Sequence, residues 1–255
     1  MDFGNPAGEA LVKSVWKSGA SSIASDIAEV ALDQRLHEGV LKEIPIFGWL
    51  LSTTNIIHSL RERIFLKKLA KFLFGVGELP GDSLEHFKKD CSANHESVAT
   101  QGERLLTLID SHNDADKSWF LGVLFAALVN DTINRNTFVF LSEAIQYIHP
   151  KVLTNYCYAP NPPDPISTPD DEDNILNGRL QILWSEQLKL HGLAQARIDV
   201  ILPETKYSSA LGTLLPYAEG NANLRSTYFK TNVGCKLSAI VRKHVATMAE
   251  SGPRD

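Results

Sequence analysis

The sequence predicts a mainly α protein, an N-terminal helical bundle followed by a small α+β, winged-helix-like C-terminal domain. Three observations predict it. Nearly every segment before residue 160 carries its apolar residues at helical spacing. Pro160-Asn161-Pro162-Pro163-Asp164-Pro165 then places four prolines in six residues, and Pro169-Asp170-Asp171-Glu172-Asp173 follows as an acidic run. Proline removes backbone donors and like charges repel, so residues 160–174 read as an extended, solvated linker between domains at 1–159 and 175–255. Beyond the linker a helical stretch gives way to β-branched runs. Charge divides the chain the same way: residues 1–159 carry 15 basic and 19 acidic side chains, the linker carries −5, and residues 175–255 carry 10 basic and 6 acidic.

The elements follow in order. Asn5 before Pro6 reads as an N-cap with proline at the first helical position, opening a helix through Leu11, Val12 and Val15. A second helix runs from about Ser22 to Lys42 on Ile23, Ile27, Val30 and Leu36. After Pro80-Gly81, Asp82 with Glu85 three residues on is a capping-box variant. Helices are expected at about 83–93, 95–110, 116–130 and 136–149, with Asp114 and either Asn134 or Asn136 as caps. Ser118 to Asn130, 13 residues apolar almost all round, fits a buried central helix. Beyond the linker, a helix over about 176–190 stops at His191-Gly192, where glycine suits the left-handed position after a helix. Arg197 to Leu202 reads as a strand. Tyr207–Leu215 and Phe229–Leu237 share an aromatic residue, a hydroxyl residue two on, then glycine and leucine. Each reads as a strand end feeding a hydroxyl N-cap and a helix, the last helix ending near Met248.

The chain has 255 residues, 44% of them hydrophobic, and a formal charge of −5. That balance excludes disorder throughout, and the composition excludes collagen-like, mucin-like and disulfide-scaffold proteins. Cys91, Cys157 and Cys235 are odd in number and widely spaced, which points to free thiols in a reducing compartment. Met1 to Pro6 lacks the basic start and apolar run of a secretory signal, so the cytoplasm is expected, with peripheral contact at an inner membrane.

The most informative stretch for function is 44–74. Ile44 to Leu60 is 17 residues without a charge, too short and too polar at Ser52, Thr53, Thr54, Asn55 and His58 to span a bilayer. Arg61, Arg63, Lys67, Lys68 and Lys71 then alternate with Leu60, Ile64, Phe65, Leu69, Phe72 and Phe74. Such a basic amphipathic helix can lie on an anionic lipid surface, with Phe47, Trp49 and Phe65 as apolar anchors and the five cations near headgroups. The competing account is a bundle helix with a solvated basic face.

The tail invites a nucleic-acid reading, with the helix offering Arg179, Gln181, Gln187 and Lys189, and Arg197 and Lys206 serving as wing residues on phosphates. Against it, the supporting helices of a complete helix-turn-helix are missing upstream, and the positive charge is modest. Enzyme motifs fail on inspection. Asp110, His112, Asn113, Asp114 and Asp116 suggest a calcium loop, but Leu121 and Ala115 stand where glutamate and glycine are required. Glu204-Thr205-Lys206 with Asp199 and Pro169-Asp170 has the letters of a metal-dependent nuclease, yet Pro203 interrupts the needed strand. His95-Glu96 lacks a second zinc histidine, and no Gly-Lys-Ser/Thr phosphate loop or Gly-x-Ser-x-Gly elbow exists. No cofactor, metal or catalytic residue is therefore assigned.

Ile44-Pro45-Ile46-Phe47-Gly48, Ser59-Leu60-Arg61-Glu62-Arg63-Ile64-Phe65-Leu66-Lys67-Lys68 and Lys71-Phe72-Leu73 together resemble a pattern in a group of uncharacterised bacterial helical proteins. Glu103-Arg104-Leu105-Leu106, Lys117 before an apolar helix, Phe138 with Leu141, and the aromatic-x-Ser/Thr tail are similar in spacing. The resemblance covers residues 40–155 and the tail. It implies a setting among mobile elements and phage defence or abortive infection, and no catalytic residues. The expectation is a non-enzymatic interaction or effector protein whose residues 44–74 meet a membrane surface or a protein partner. A DNA-binding regulator is the alternative and a metal-dependent nuclease the third, and a homo-oligomer is compatible with each.

Overall fold

The computed structural model describes residues 4–30, 43–53, 60–93, 96–158, 183–201, 205–210, 213–218 and 223–250. The protein is mainly helical. The helices are α1 (Gly4–Val15), α2 (Ala20–Val30), α3 (Pro45–Thr53), α4 (Leu60–Val76), α5 (Ser83–Ala93), α6 (Val98–Ser111), α7 (Ala115–Val129), α8 (Arg135–Tyr147), α9 (Pro150–Tyr158) and α10, described over 183–190. Strands β1 (Ala194–Ile201), β2 (Thr205–Ala210), β3 (Thr213–Ala218) and β4 (Asn223–Lys230) precede α11 (Asn232–Glu250).

Two compact units result, residues 1–154 with 237–255, and residues 155–236. The expected linker 160–174 lies outside the described residues. The unit boundaries fall inside α9 and α11, so the last helix is shared, where the sequence had assigned it wholly to the tail. Its later part holds buried Val241 and puts the His244 ring edge-on to Trp119 at 6.0 Å.

Local chemistry sets the helix ends in the first unit. Ser97 caps α6, its side chain accepting from Thr100 N at 3.0 Å, Asp114 caps α7 through Asp116 N at 2.8 Å, and Asn134 caps α8 through Thr137 N at 2.9 Å. Each short polar side chain satisfies a donor that the first helical turn leaves open. Asp82 acts through its backbone, its carbonyl accepting from Glu85 N and His86 N at the start of α5. Asn5 falls within α1, which begins a residue earlier than its expected cap.

Two helix crossings organise this unit, and both rest on glycine. α4 packs on α7 where a Cβ on Gly75 would overlap the backbone of Trp119 and one on Gly122 would overlap the backbone of Phe72. α1 packs on α6 through Gly8 and Gly102 in the same way. The same unit holds an aromatic cluster: Phe125 has Phe72 at 5.9 Å, Phe87 at 5.5 Å and Phe138 at 6.5 Å, ring centre to ring centre. Trp16 joins at 5.5 Å from Phe87 and donates its Nε1–H to Ser83 Oγ at 3.0 Å, so the indole's polar edge is not stranded by burial. Each such ring removed from water contributes about 1.5–3 kcal/mol.

In the second unit α10 ends at Gly192, left-handed at φ 71, as glycine's lack of a Cβ permits. β1 pairs antiparallel with β4, and β2 with β3 nested inside them. Ile201 pairs with Asn223 and Thr205 with Ala218, so three residues separate the two ladders on the outgoing side and four on the return. Tyr207–Leu215 was expected to turn into a helix. Instead Tyr207 to Ala210 stay in β2, with Ala210 paired to Thr213 of β3. The sister stretch behaves as expected: β4 ends at Lys230, and Thr231 Oγ1 accepts from Gly234 N at 3.1 Å to cap α11. Leu193 O is the hub of this corner, accepting from Tyr156 Oη at 2.6 Å and Thr231 N at 3.0 Å. Lys230 Nζ stands 4.6 Å from the centre of the Tyr156 ring.

Candidate functional site

Residues 44–74 divide into an inward and an outward part. Phe47 and Phe65, expected as surface anchors, are 0% and 1% exposed and belong to the core with Ile44, Ile46 and Leu50. The bundle needs the apolar stripes of α3 and α4 for its own packing, which leaves neither ring at the surface. Trp49 is half-buried on α3, and residues 54–59 lie outside the described residues.

Lys68 is also inward. It is 6% exposed, and its Nζ donates to Asp110 O in the last turn of α6 at 2.8 Å. Lys117 does the same for α8, donating to Gln146 O at 2.7 Å while 3% exposed. The last carbonyls of a helix have no partner inside it and form its negative end, so a buried ammonium there meets both needs. Burial lowers the pKa of both lysines, more than nearby Asp110 or Asp114 restores. Beside them His112 is 1% exposed, with Nδ1 3.3 Å from Ser118 Oγ and no hydrogen-bond partner on Nε2. Burial, then the charges of Lys117 and Lys68, push this imidazole down to about 4. The Asp110–Asp116 stretch is thus a helix-capping corner, with Asp114 opening α7 and Leu121 buried within that helix.

The outward part is one stripe of α4. Leu60, Arg63, Ile64, Lys67 and Lys71 recur at spacings of three and four, opposite the buried Phe65, Leu69, Phe72 and Val76. Leu60 is 70% and Ile64 41% exposed. Lys71 lies 3.3 Å from Asp116, and Arg61 lies 3.6 Å from Asp110. Arg63 and Lys67 have no carboxylate partner among the described residues.

The tail residues are scattered. Arg179 and Gln181 lie outside the described residues. Gln187 is half-buried with Oε1 unpartnered, and Lys189 pairs with Glu186 at 3.3 Å. Glu186 also accepts from Tyr228 Oη at 2.6 Å, which holds its carboxyl below the usual range. Arg197 is exposed on β1, opposite Thr227, and Lys206 stands opposite Tyr217 in the inner ladder.

A cavity of about 150 Å³ opens between α5, α6, α7 and α8. Phe87, Leu105, Phe125 and Phe138 supply apolar wall, and Arg104, Arg135 and Asp90 supply charge of both signs. Both guanidiniums donate to the carboxylate of Glu96, whose pKa is held down chiefly by the Arg135 hydrogen bond. Sequence reading missed this grouping. Arg135 is 39 residues from Glu96, far beyond any helical-spacing signal, and only the packing of α6 against its neighbours brings the three together.

Among the described residues no three His, Cys, Asp or Glu side chains group closely enough to hold a metal ion. None of the described helices is long and apolar enough to cross a membrane. Cys91 and Cys157 are buried free thiols and Cys235 is an exposed one. Comparison with protein-family models, curated proteins and solved structures finds no match for this chain. What fold and surface define together is a mainly helical protein with an amphipathic basic stripe and a small cavity open to solvent.

Proposed function

We propose that this is a non-enzymatic interaction or effector protein that meets an anionic membrane surface through the outward stripe of α4, in the phage-defence setting implied by the resemblance over residues 40–155 and the tail. The observation that carries the reading is the exposure of Leu60 and Ile64 beside Arg63 and Lys67, cations without carboxylate partners among the described residues. Apolar side chains that enter the acyl boundary, with cations at headgroup level, are the pairing an interfacial helix uses. The contact is narrower than the full 44–74 run, because Phe47, Phe65 and Lys68 serve the core. The test is flotation of the full-length protein with anionic and with neutral liposomes at near-physiological salt. Flotation with anionic vesicles alone, lost in a Leu60→Ser/Ile64→Ser double variant, is expected. Sedimentation with both vesicle types overturns it.

One observation favours a second reading, DNA binding by the tail. Arg197 is exposed on a β-ribbon that follows a helix, an order compatible with a winged-helix-like domain whose wing is β1–β4. Arg225 stands opposite Asp199, diagonal to Arg197 in the register. A gel shift with the full-length chain at two salt concentrations tests it, since phosphate contacts make affinity fall steeply with salt. No shift at low salt removes this reading.

A further inference from the structure

The cavity between α5, α6, α7 and α8 is unused by either reading above. We propose that it binds a small organic carboxylate whose body is a single ring or a branched chain. Its volume of about 150 Å³ matches that of an engineered apolar cavity known to take one benzene. Phe87, Leu105, Phe125 and Phe138 give that body an apolar wall, and its three rings are fixed by the aromatic cluster, Phe87 at 5.5 Å and Phe138 at 6.5 Å from Phe125. The wall is therefore already formed.

The polar side of the cavity selects the guest's other end. A guanidinium has five N–H donors in a planar fork, and Arg104 and Arg135 each direct one to Glu96. Donors that remain on two guanidiniums beside an apolar wall suit a carboxylate, which accepts two at once. Glu96 keeps both forks in place when no guest is present. Asp90 also lines the cavity, but its carboxylate is 3.8 Å from Arg135, too far for a hydrogen bond to that guanidinium, and half exposed, so solvent screens its charge. Gln101 lines the same wall, and its buried Nε2 has no hydrogen-bond partner, so a guest that brings acceptors fits better than one that brings donors.

The experiment is ¹⁹F NMR on the full-length protein with 4-fluorobenzoate and, separately, fluorobenzene. Line broadening of 4-fluorobenzoate that unlabelled benzoate reverses is expected, with fluorobenzene about tenfold weaker or worse. Arg135→Gln should weaken 4-fluorobenzoate by about tenfold. Arg104→Gln, whose side chain is 60% exposed, serves as a second variant that leaves the fold intact, and thermal melts check both. Leu108→Trp, which enlarges a residue of the cavity wall, should abolish binding of either probe. Equal binding of the two probes, binding unchanged in both arginine variants, or no broadening by either probe overturns the proposal.

Discussion

α4 and α7 cross at Gly75 and Gly122 yet use their surfaces in opposite ways. α7 is buried almost all round, and its lone inward cation, Lys117, caps α8. α4 buries one stripe, sends Lys68 inward to cap α6, and leaves Leu60, Ile64, Arg63 and Lys67 facing out. The contrast shows that cations in a basic amphipathic helix are not one population. Position on the helix decides whether an ammonium is a structural donor or a surface charge.

Reversing charge at adjacent lysines breaks this comparison most sharply. Lys68→Glu would bury a carboxylate against the Asp110 carbonyl and should cost about 3–5 kcal/mol in urea denaturation. Lys67→Glu, one residue earlier and half-buried without a carboxylate partner among the described residues, should stay within about 0.5 kcal/mol. Equal effects would mean that Lys68 is a surface cation after all.

The crossing itself comes next. A methyl at Gly122 meets the Phe72 carbonyl and the Gly75–Val76 backbone, which cannot give way as a flexible side chain could. Gly122→Ala and Gly75→Ala should each cost about 3 kcal/mol in thermal melts. Gly81→Ala is the control, because nothing lies within 4 Å of its added Cβ, and it should be nearly neutral.

The buried polar corner that both helices share makes stability depend on pH. The His112 imidazole is held at about 4, below its ordinary 6.5, by burial first and then by Lys117 and Lys68. Between these values the unfolded chain binds the proton and the folded one does not. Stability from this group is therefore complete above pH 6.5 and is lost as pH falls towards 4, by up to about 3 kcal/mol. Denaturation midpoints at several pH values, compared between the natural protein and His112→Gln, measure it. The variant should show a flatter profile in that window, and an unchanged slope would show that the imidazole already titrates freely.

How much of this was legible in the sequence follows from which signals are local. Helices at 83–93, 98–111, 115–129 and 135–147 lie close to their expected positions, because apolar period and the caps Asp114 and Asn134 act within a few residues. Thr231 as a cap was legible for the same reason. The β2–β3 hairpin was not, since a hydroxyl residue before Ala-Leu-Gly fits a cap as well as a strand until its partner strand is known. Lys68 was misread because its position at the edge of the apolar stripe gives no hint that another helix ends over it. The Glu96, Arg104 and Arg135 grouping has no sequence period at all.

The smallest expected effect sharpens the comparison at the outer stripe of α4. Leu60 and Ile64 are leucine and isoleucine like Leu69 a turn or two further on, but Leu69 is 0% exposed while Leu60 is 70% exposed. Hydrophobic stabilisation scales with area removed from water, so Leu69→Ala should cost about 2–5 kcal/mol. Leu60→Ser and Ile64→Ser should cost only about 0.5 kcal/mol each, mostly through lower helix propensity. Urea midpoints for the three variants decide it. If the two serine variants are as damaging as Leu69→Ala, the stripe is already covered within the folded protein and has no area to offer a membrane. If they are nearly silent, the exposed apolar area adds little to folding and stays open to a contact outside the chain, which the flotation experiment then decides.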